Sequence, residues 1–205
     1  MWNKIKYPLE VIVTLTGGVG YAVFHKKLAF NVWFILPLLV FLVLYAFLES
    51  KYGDRKFADF GVRTDNLKSA TKWNFIVLGP ILLGLSIYAL TNGVHHPLHF
   101  IYAVLLYPLW GLIQQFVFQG IFLNACRKMG LGYFSILLAT FVYTIVHYPS
   151  MFMIKFTAIG GLLFSTLFYF RPNIIPIGIF HGVFGAFLYY VLRNKDPFEK
   201  LLDRL

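Results

Sequence analysis

Apolar residues in this chain fall into long runs, parted by short stretches of charge, glycine and proline, with no sustained alternation or one-faced periodicity. A helix needs about 20 apolar residues to cross the hydrocarbon of a bilayer. Seven runs approach or reach that length, near residues 7–24, 28–48, 73–90, 99–125, 131–147, 152–170 and 174–192. They leave little chain for anything else, and only residues 49–72 are long and charged enough to form a loop of their own. The pattern predicts an all-α, polytopic helical bundle of about seven transmembrane helices, built as one membrane domain over residues 1–205. The first run is ambiguous, because Lys4 and Lys6 ahead of it resemble the start of a signal peptide. Glu10 inside the run, and the lack of a small-x-small cleavage site after it, favour a retained helix.

Composition agrees: 59% of residues are hydrophobic, 20% aromatic and 13% charged, where soluble domains carry about a quarter charged residues. The formal net charge is +10. The basic residues sit mostly in the connections between runs, where they act as topology signals and contacts for anionic lipid headgroups, so no nucleic-acid partner is expected. Placing residues 49–72 inside also puts Arg127, Lys128 and Arg171 inside, with the loop 91–97 and the turn at Pro149 outside. The same alternation puts Lys26, Lys27 and the basic tail 193–204 outside, against the positive-inside rule, a conflict that a half-inserted run would resolve. Cys126, the single cysteine, reads as a small buried hydrophobe.

The eight acidic residues are Glu10, Glu49, Asp54, Asp59, Asp65, Asp196, Glu199 and Asp203, so residues 66–195 contain no carboxylate side chain. Acid–base work in the last five runs would fall on histidine, Lys155 or tyrosine. Polar groups in a bilayer are costly unless paired, which makes them candidate functional residues. The fourth run holds Gln114, Gln115 and Gln119, with Gln115 and Gln119 on one helix face if the helix is regular. Their bland role is hydrogen bonding between helices. His147 closes the fifth run and His181 lies inside the seventh, and two histidines beside an amide cluster make one candidate polar pocket. Apart from these, His95, His96 and His99 offer a zinc-type ligand set in the loop before the fourth run. A loop this short without carboxylate or thiol is more often merely polar, and no cofactor is expected. Lys155 reads as a residue that snorkels to the interface.

A paired polar motif in one span, a histidine ending the next, and Asn173-Ile-Ile-Pro176 followed by His181 in the last resemble the CPBP family, the CAAX prenyl-protease and bacteriocin-processing (Abi) intramembrane endopeptidases. Phe60-Gly-Val-Arg63 and the Gly160-Gly161 span running into Arg171-Pro-Asn173 fit the same frame, and the resemblance covers a core of residues 60–192. In that family the motifs read Glu-Glu-x-x-x-Arg-Gly, Phe-x-x-x-His and His-x-x-x-Asn. The resemblance implies a glutamate and a histidine that activate water, with a second histidine and an asparagine stabilising the oxyanion. Residue by residue, Gln114 and Gln115 stand at the glutamates, Gln119 at the arginine, and His147 and His181 at the histidines. Tyr143 stands at the phenylalanine and Gly185 at the asparagine, while Asn173 opens the last motif region; these three are the expected substrate- or partner-binding positions.

Glutamine matches glutamate in shape but cannot take a proton from water near neutral pH. Losing a positioned base typically costs 10²–10⁴-fold in rate, and losing an oxyanion donor about 10²–10³-fold more. The sequence therefore predicts a non-proteolytic scaffold, or a peptide- or lipid-binding member, in a bacterial cytoplasmic membrane, with lipids and a membrane protein or peptide as partners. The alternative is a peptidase working through His147 and His181, with or without a metal.

Overall fold

The computed structural model describes residues 2–24 and 32–197, and among these the chain is helical without a β-strand. Helices α1 (Trp2–Phe24), α2 (Val32–Tyr52), α3 (Leu67–Asn92), α4 (Pro97–Lys128), α5 (Phe134–Ile145), α6 (Met151–Phe170) and α7 (Ile174–Leu192) follow one another, with a 3₁₀ turn at Phe57–Phe60. The helix α4 is π-helical over Phe116–Leu123, and α7 over Leu188–Leu192. Lys26, Lys27 and residues 28–31 of the second predicted run lie outside the described residues.

Five helical stretches among the described residues are long and apolar enough to cross a membrane: Ile5–Phe24, Leu67–Asn92, Pro97–Lys128, Met151–Phe170 and Ile174–Leu192. The run at 131–147 is not a full span. Its helix has 12 residues, about 18 Å at 1.5 Å per residue against a hydrocarbon core of about 30 Å. Gly130 and Gly132 take positive φ (85° and 50°) and delay the helix to Phe134. At the other end Pro149 cannot supply an amide hydrogen, and the chain turns over residues 146–150. Leu83, Leu90 and Leu105 are 63%, 86% and 67% exposed on the flanks of the bundle. Only lipid covers such a surface without penalty, so the protein is a multi-pass integral membrane protein.

Polar contacts at the two ends sort the connections. At one end Asn173 Nδ2 donates to the Arg63 carbonyl at 2.8 Å, Asn66 Nδ2 to the Pro172 carbonyl at 3.2 Å, and the Ile174 amide to the Gly61 carbonyl at 2.9 Å. The segments expected to share a face, 49–72 and the region of Arg171, thus meet. At the other end the His95 amide donates to the Tyr190 carbonyl at 2.9 Å, which joins the loop before α4 to the last turn of α7.

Buried charge among the described residues of the first two helices is paired. Glu10 accepts from Arg55 and, at 2.5 Å, from the Tyr45 hydroxyl, while Lys6 donates to Glu49 at 2.8 Å and also to Asp54. Breaking such a buried pair strands the remaining charge, at a cost of about 3–5 kcal/mol. Glu10, which argued against a cleaved leader, is 4% exposed in this network.

The tightest packing is between α4 and α7. A Cβ at Gly178 would lie 2.7 Å from Leu112 Cα, one at Gly111 would run into the Gly178 carbonyl, and one at Gly182 would meet the backbone of Tyr107 and Pro108. Gly178 and Gly182 are four residues apart on α7, the small-xxx-small spacing that lets membrane helices touch backbone to backbone. Gly182→Ala is expected to destabilise the fold by about 1–3 kcal/mol through overpacking. Gly84→Ala, whose Cβ would meet nothing within 4 Å, is expected to be neutral or to stabilise by up to about 1 kcal/mol. Thermal unfolding in detergent separates them, and equal melting temperatures would contradict the packing.

Candidate functional site: an amide–imidazole cavity

Close approach of α4 and α7 sets the first contact of the site. Gln115 Nε2 lies 2.8 Å from His181 Nδ1, and the other ring nitrogen, Nε2, lies 3.0 Å from the Tyr143 hydroxyl. Tyr143 comes from the short helix α5 and sits against α6, where a Cβ on Gly161 would fall 2.7 Å from its ring. One turn beyond, His147 Nδ1 donates to the Tyr143 carbonyl at 2.9 Å. A carbonyl only accepts, so Nδ1 carries the hydrogen and Nε2 of the neutral His147 ring keeps its lone pair. The rings of Tyr143 and His181 meet edge to face with centroids 5.4 Å apart, and Phe164 stacks on His181 at 5.5 Å.

A cavity of about 310 Å³ opens beside this cluster. Gln114, Tyr143, His147 and His181 are among its polar lining, together with Tyr107, Thr157 and Tyr189, and Trp110, Phe156, Leu163 and Phe184 are among its apolar lining. A second cavity of about 210 Å³, between α1, α2 and α4, shares Trp110, Gln114, His147 and Tyr189 with the first. Gln114 and His147 therefore line both chambers. Neither lining contains an aspartate or a glutamate.

The three amides have three different surroundings. Gln114 faces the cavities; Gln115, fully buried, holds His181 from behind; and Gln119, also fully buried, donates to Ser165 Oγ of α6 at 3.0 Å. Regular helical spacing would set Gln115 and Gln119 on one face, but the π-helical stretch begins at Phe116, and its wider turns shift the register. That stretch is also where α4 meets the Phe60 turn: a Cβ on Gly120 would lie 2.5 Å from the Phe60 carbonyl. The Oε1 atoms of Gln115 and Gln119 are buried without a hydrogen-bond partner among the described residues.

The Gln115–His181–Tyr143 chain has two consistent polarities. With the Gln115 NH₂ donating to Nδ1, His181 donates from Nε2 to Tyr143, whose own hydrogen is then free to serve the cavity. Turning the amide over reverses every bond, with Oε1 accepting from Nδ1–H and Tyr143 donating to Nε2. A carboxylate at position 115 would permit only the second arrangement. The amide thus positions His181 without supplying charge.

Other expected site residues separate from this cluster. Gly185 lines the cavity, where a Cβ would sit 3.3 Å from the Tyr107 ring. Asn173 is not a cavity residue. It is fully buried at the far end, where its Oδ1 accepts from the Ile175 amide at 3.0 Å to cap α7 and its Nδ2 bonds Arg63 and Asn66. Lys155 is exposed and outside the cavity lining. His95 does not join His96 and His99 in a ligand group; Asp196 does. Sequence reading missed Ser165, the hydroxyl of α6 that partners Gln119.

Fold and site together define a helical membrane protein with an amide–imidazole cavity at the contact of α4 and α7. Residues 95–187 match the Rce1-like family model, described as type II CAAX prenyl endopeptidase Rce1-like. The matched segment contains Gln114, Gln115, Gln119, Tyr143, His147, Asn173, His181 and Gly185. Comparison with curated proteins and with solved structures gave no match.

Ser165→Ala should strand the Gln119 NH₂ and cost about 1–3 kcal/mol, whereas Ser165→Ala with Gln119→Leu should cost less, because both polar partners leave together. Unfolding of the single and double variants measures this, and strictly additive losses would show that the pair is not coupled.

Proposed function

We propose that this protein is a non-proteolytic member of the CPBP-type family in a bacterial cytoplasmic membrane, using the cavity to hold an apolar segment of a membrane peptide, lipidated peptide or protein partner. The observation that carries the reading is a cavity lined by two histidines, three tyrosines, a threonine and an amide with no carboxylate among its lining residues. Water bound there meets acceptors and donors but no acid of the Asp or Glu type. A volume of about 310 Å³ is at the lower end of small-ligand pockets. The largely apolar walls suit an aliphatic or prenyl group, with Gln114 and the Tyr143 hydroxyl placed to bond a polar neighbour such as a peptide group.

Photo-crosslinking with a prenylated peptide tests the reading. Wild type should give a saturable adduct and intact peptide by mass spectrometry. Gly160→Leu, which projects a side chain into the cavity from α6, should weaken capture about tenfold, the effect of roughly 1.4 kcal/mol of lost binding. Equal capture by both proteins would count against the cavity as the binding site.

One observation favours a second reading, histidine-based hydrolysis: the His147 Nδ1 bond to Tyr143 leaves Nε2 as an acceptor on a ring that lines both chambers. Under that reading wild type releases a cleaved product, and His147→Ala and His181→Ala each abolish it. Full product from either variant would eliminate it.

A further inference from the structure

Outside the cavity, the described residues contain another cluster of chemically capable side chains, at the end of the bundle where the loop before α4 meets the chain after α7. We propose that His96, His99 and Asp196 form a binding site for one zinc-type divalent ion. One ligand atom from each residue lies within 4.8 Å of the others. Zinc bonds of about 2.0–2.2 Å place ligand atoms roughly 3–3.5 Å apart, so small side-chain rotations at the widest pair complete the triangle. Two imidazoles and a carboxylate form a ligand set suited to zinc, with a fourth position left for water.

The three residues are held in place by their surroundings. The Asp196 side chain is fully buried, and Tyr190 donates to its Oδ1 at 2.5 Å, while Oδ2 faces His99 Nδ1. A hydrogen bond to the outer oxygen of a ligating carboxylate fixes its orientation, the usual arrangement behind a metal ligand. The tail carrying Asp196 is tied back by the Lys195 amide, which donates to the Tyr189 carbonyl at 3.0 Å, and the His95 amide likewise ties the histidine loop to Tyr190. His96 occupies the left-handed region at φ 47° and directly precedes Pro97, the first residue of α4. That conformation is uncommon for a residue with a side chain, and it sets the His96 ring over His99 with centroids 5.8 Å apart and planes 23° apart. A buried carboxylate thus forms the floor, and an exposed and a half-exposed imidazole form the rim, leaving an entry path for an ion.

An ion there would join the start of α4 to the chain after α7, clamping the two helices whose contact builds the cavity. Chelator-stripped, detergent-purified full-length protein, titrated with zinc and read by elemental analysis after desalting, tests the site. The ligand-field absorption of cobalt serves as a second readout. Wild type is expected to hold about one ion per chain and to melt at a higher temperature with zinc than without. His96→Ala, at an exposed position, should keep the fold by gel filtration and lose at least about tenfold in zinc affinity, with Asp196→Asn losing as much. Wild type that holds no more zinc than a His96→Ala, His99→Ala double variant would overturn the site. So would a His96→Ala protein with unchanged zinc and cobalt binding, since His96 would then not be a ligand.

Discussion

Two helices can touch backbone to backbone only where neither projects a side chain, and the site depends on α4 and α7 meeting that condition. Gly111, Gly178 and Gly182 provide it, with Leu112 and Pro108 seated directly on the opposing glycines. In a bilayer there is no hydrophobic gain in bringing apolar helices together, so close van der Waals contact and interhelical hydrogen bonds carry the association. The Gln115–His181 bond lies within this contact. The glycines admit the approach, the approach brings amide and imidazole together, and the fixed imidazole positions Tyr143 and the cavity wall.

Charge is distributed accordingly. Buried ions occur in the α1–α2 region, and there they come as partners: Lys6 with Glu49, and Arg55 with Glu10. Around the cavity the polar groups are amides, phenols, a threonine hydroxyl and imidazoles, which can be buried at the cost of hydrogen-bond matching rather than of stranded charge. Gln119 and Ser165 extend the same principle behind the wall. A pocket built this way presents shape and hydrogen-bonding groups rather than fixed charge.

Much of the architecture was legible because the bilayer imposes its thickness on the sequence: runs of 18 or more apolar residues became the long helices α1, α3, α4, α6 and α7. The short α5 was not legible, since Leu131 and Tyr133 before it and Val146 after it are as apolar or aromatic as a true span, and the turn conformations of Gly130 and Gly132 mark its start only in three dimensions. The candidate pocket of Gln115, His147 and His181 was legible from the polar exceptions in apolar runs, whereas Tyr143 entered only through the family resemblance. The π-helical register that separates Gln119 from that group falls where α4 packs against the Phe60 turn, a contact distant in sequence. Asn173 was open to a better local reading: an asparagine just ahead of an apolar run with proline at its third position is a helix cap. Asp196 joins histidines about a hundred positions away in the chain, a pairing that no spacing rule reveals.

The proposed function holds that amides at positions 114, 115 and 119 leave an endopeptidase-like frame without its chemistry. The most direct measurement compares turnover of a prenylated peptide by wild type and by a variant carrying Gln114→Glu, Gln115→Glu, Gln119→Arg and Gly185→Asn, in the same membrane mimic. The expected result is cleavage by the variant and none by wild type, a difference of at least about 10²-fold for a restored base. Wild-type turnover equal to that of the variant would contradict the claim.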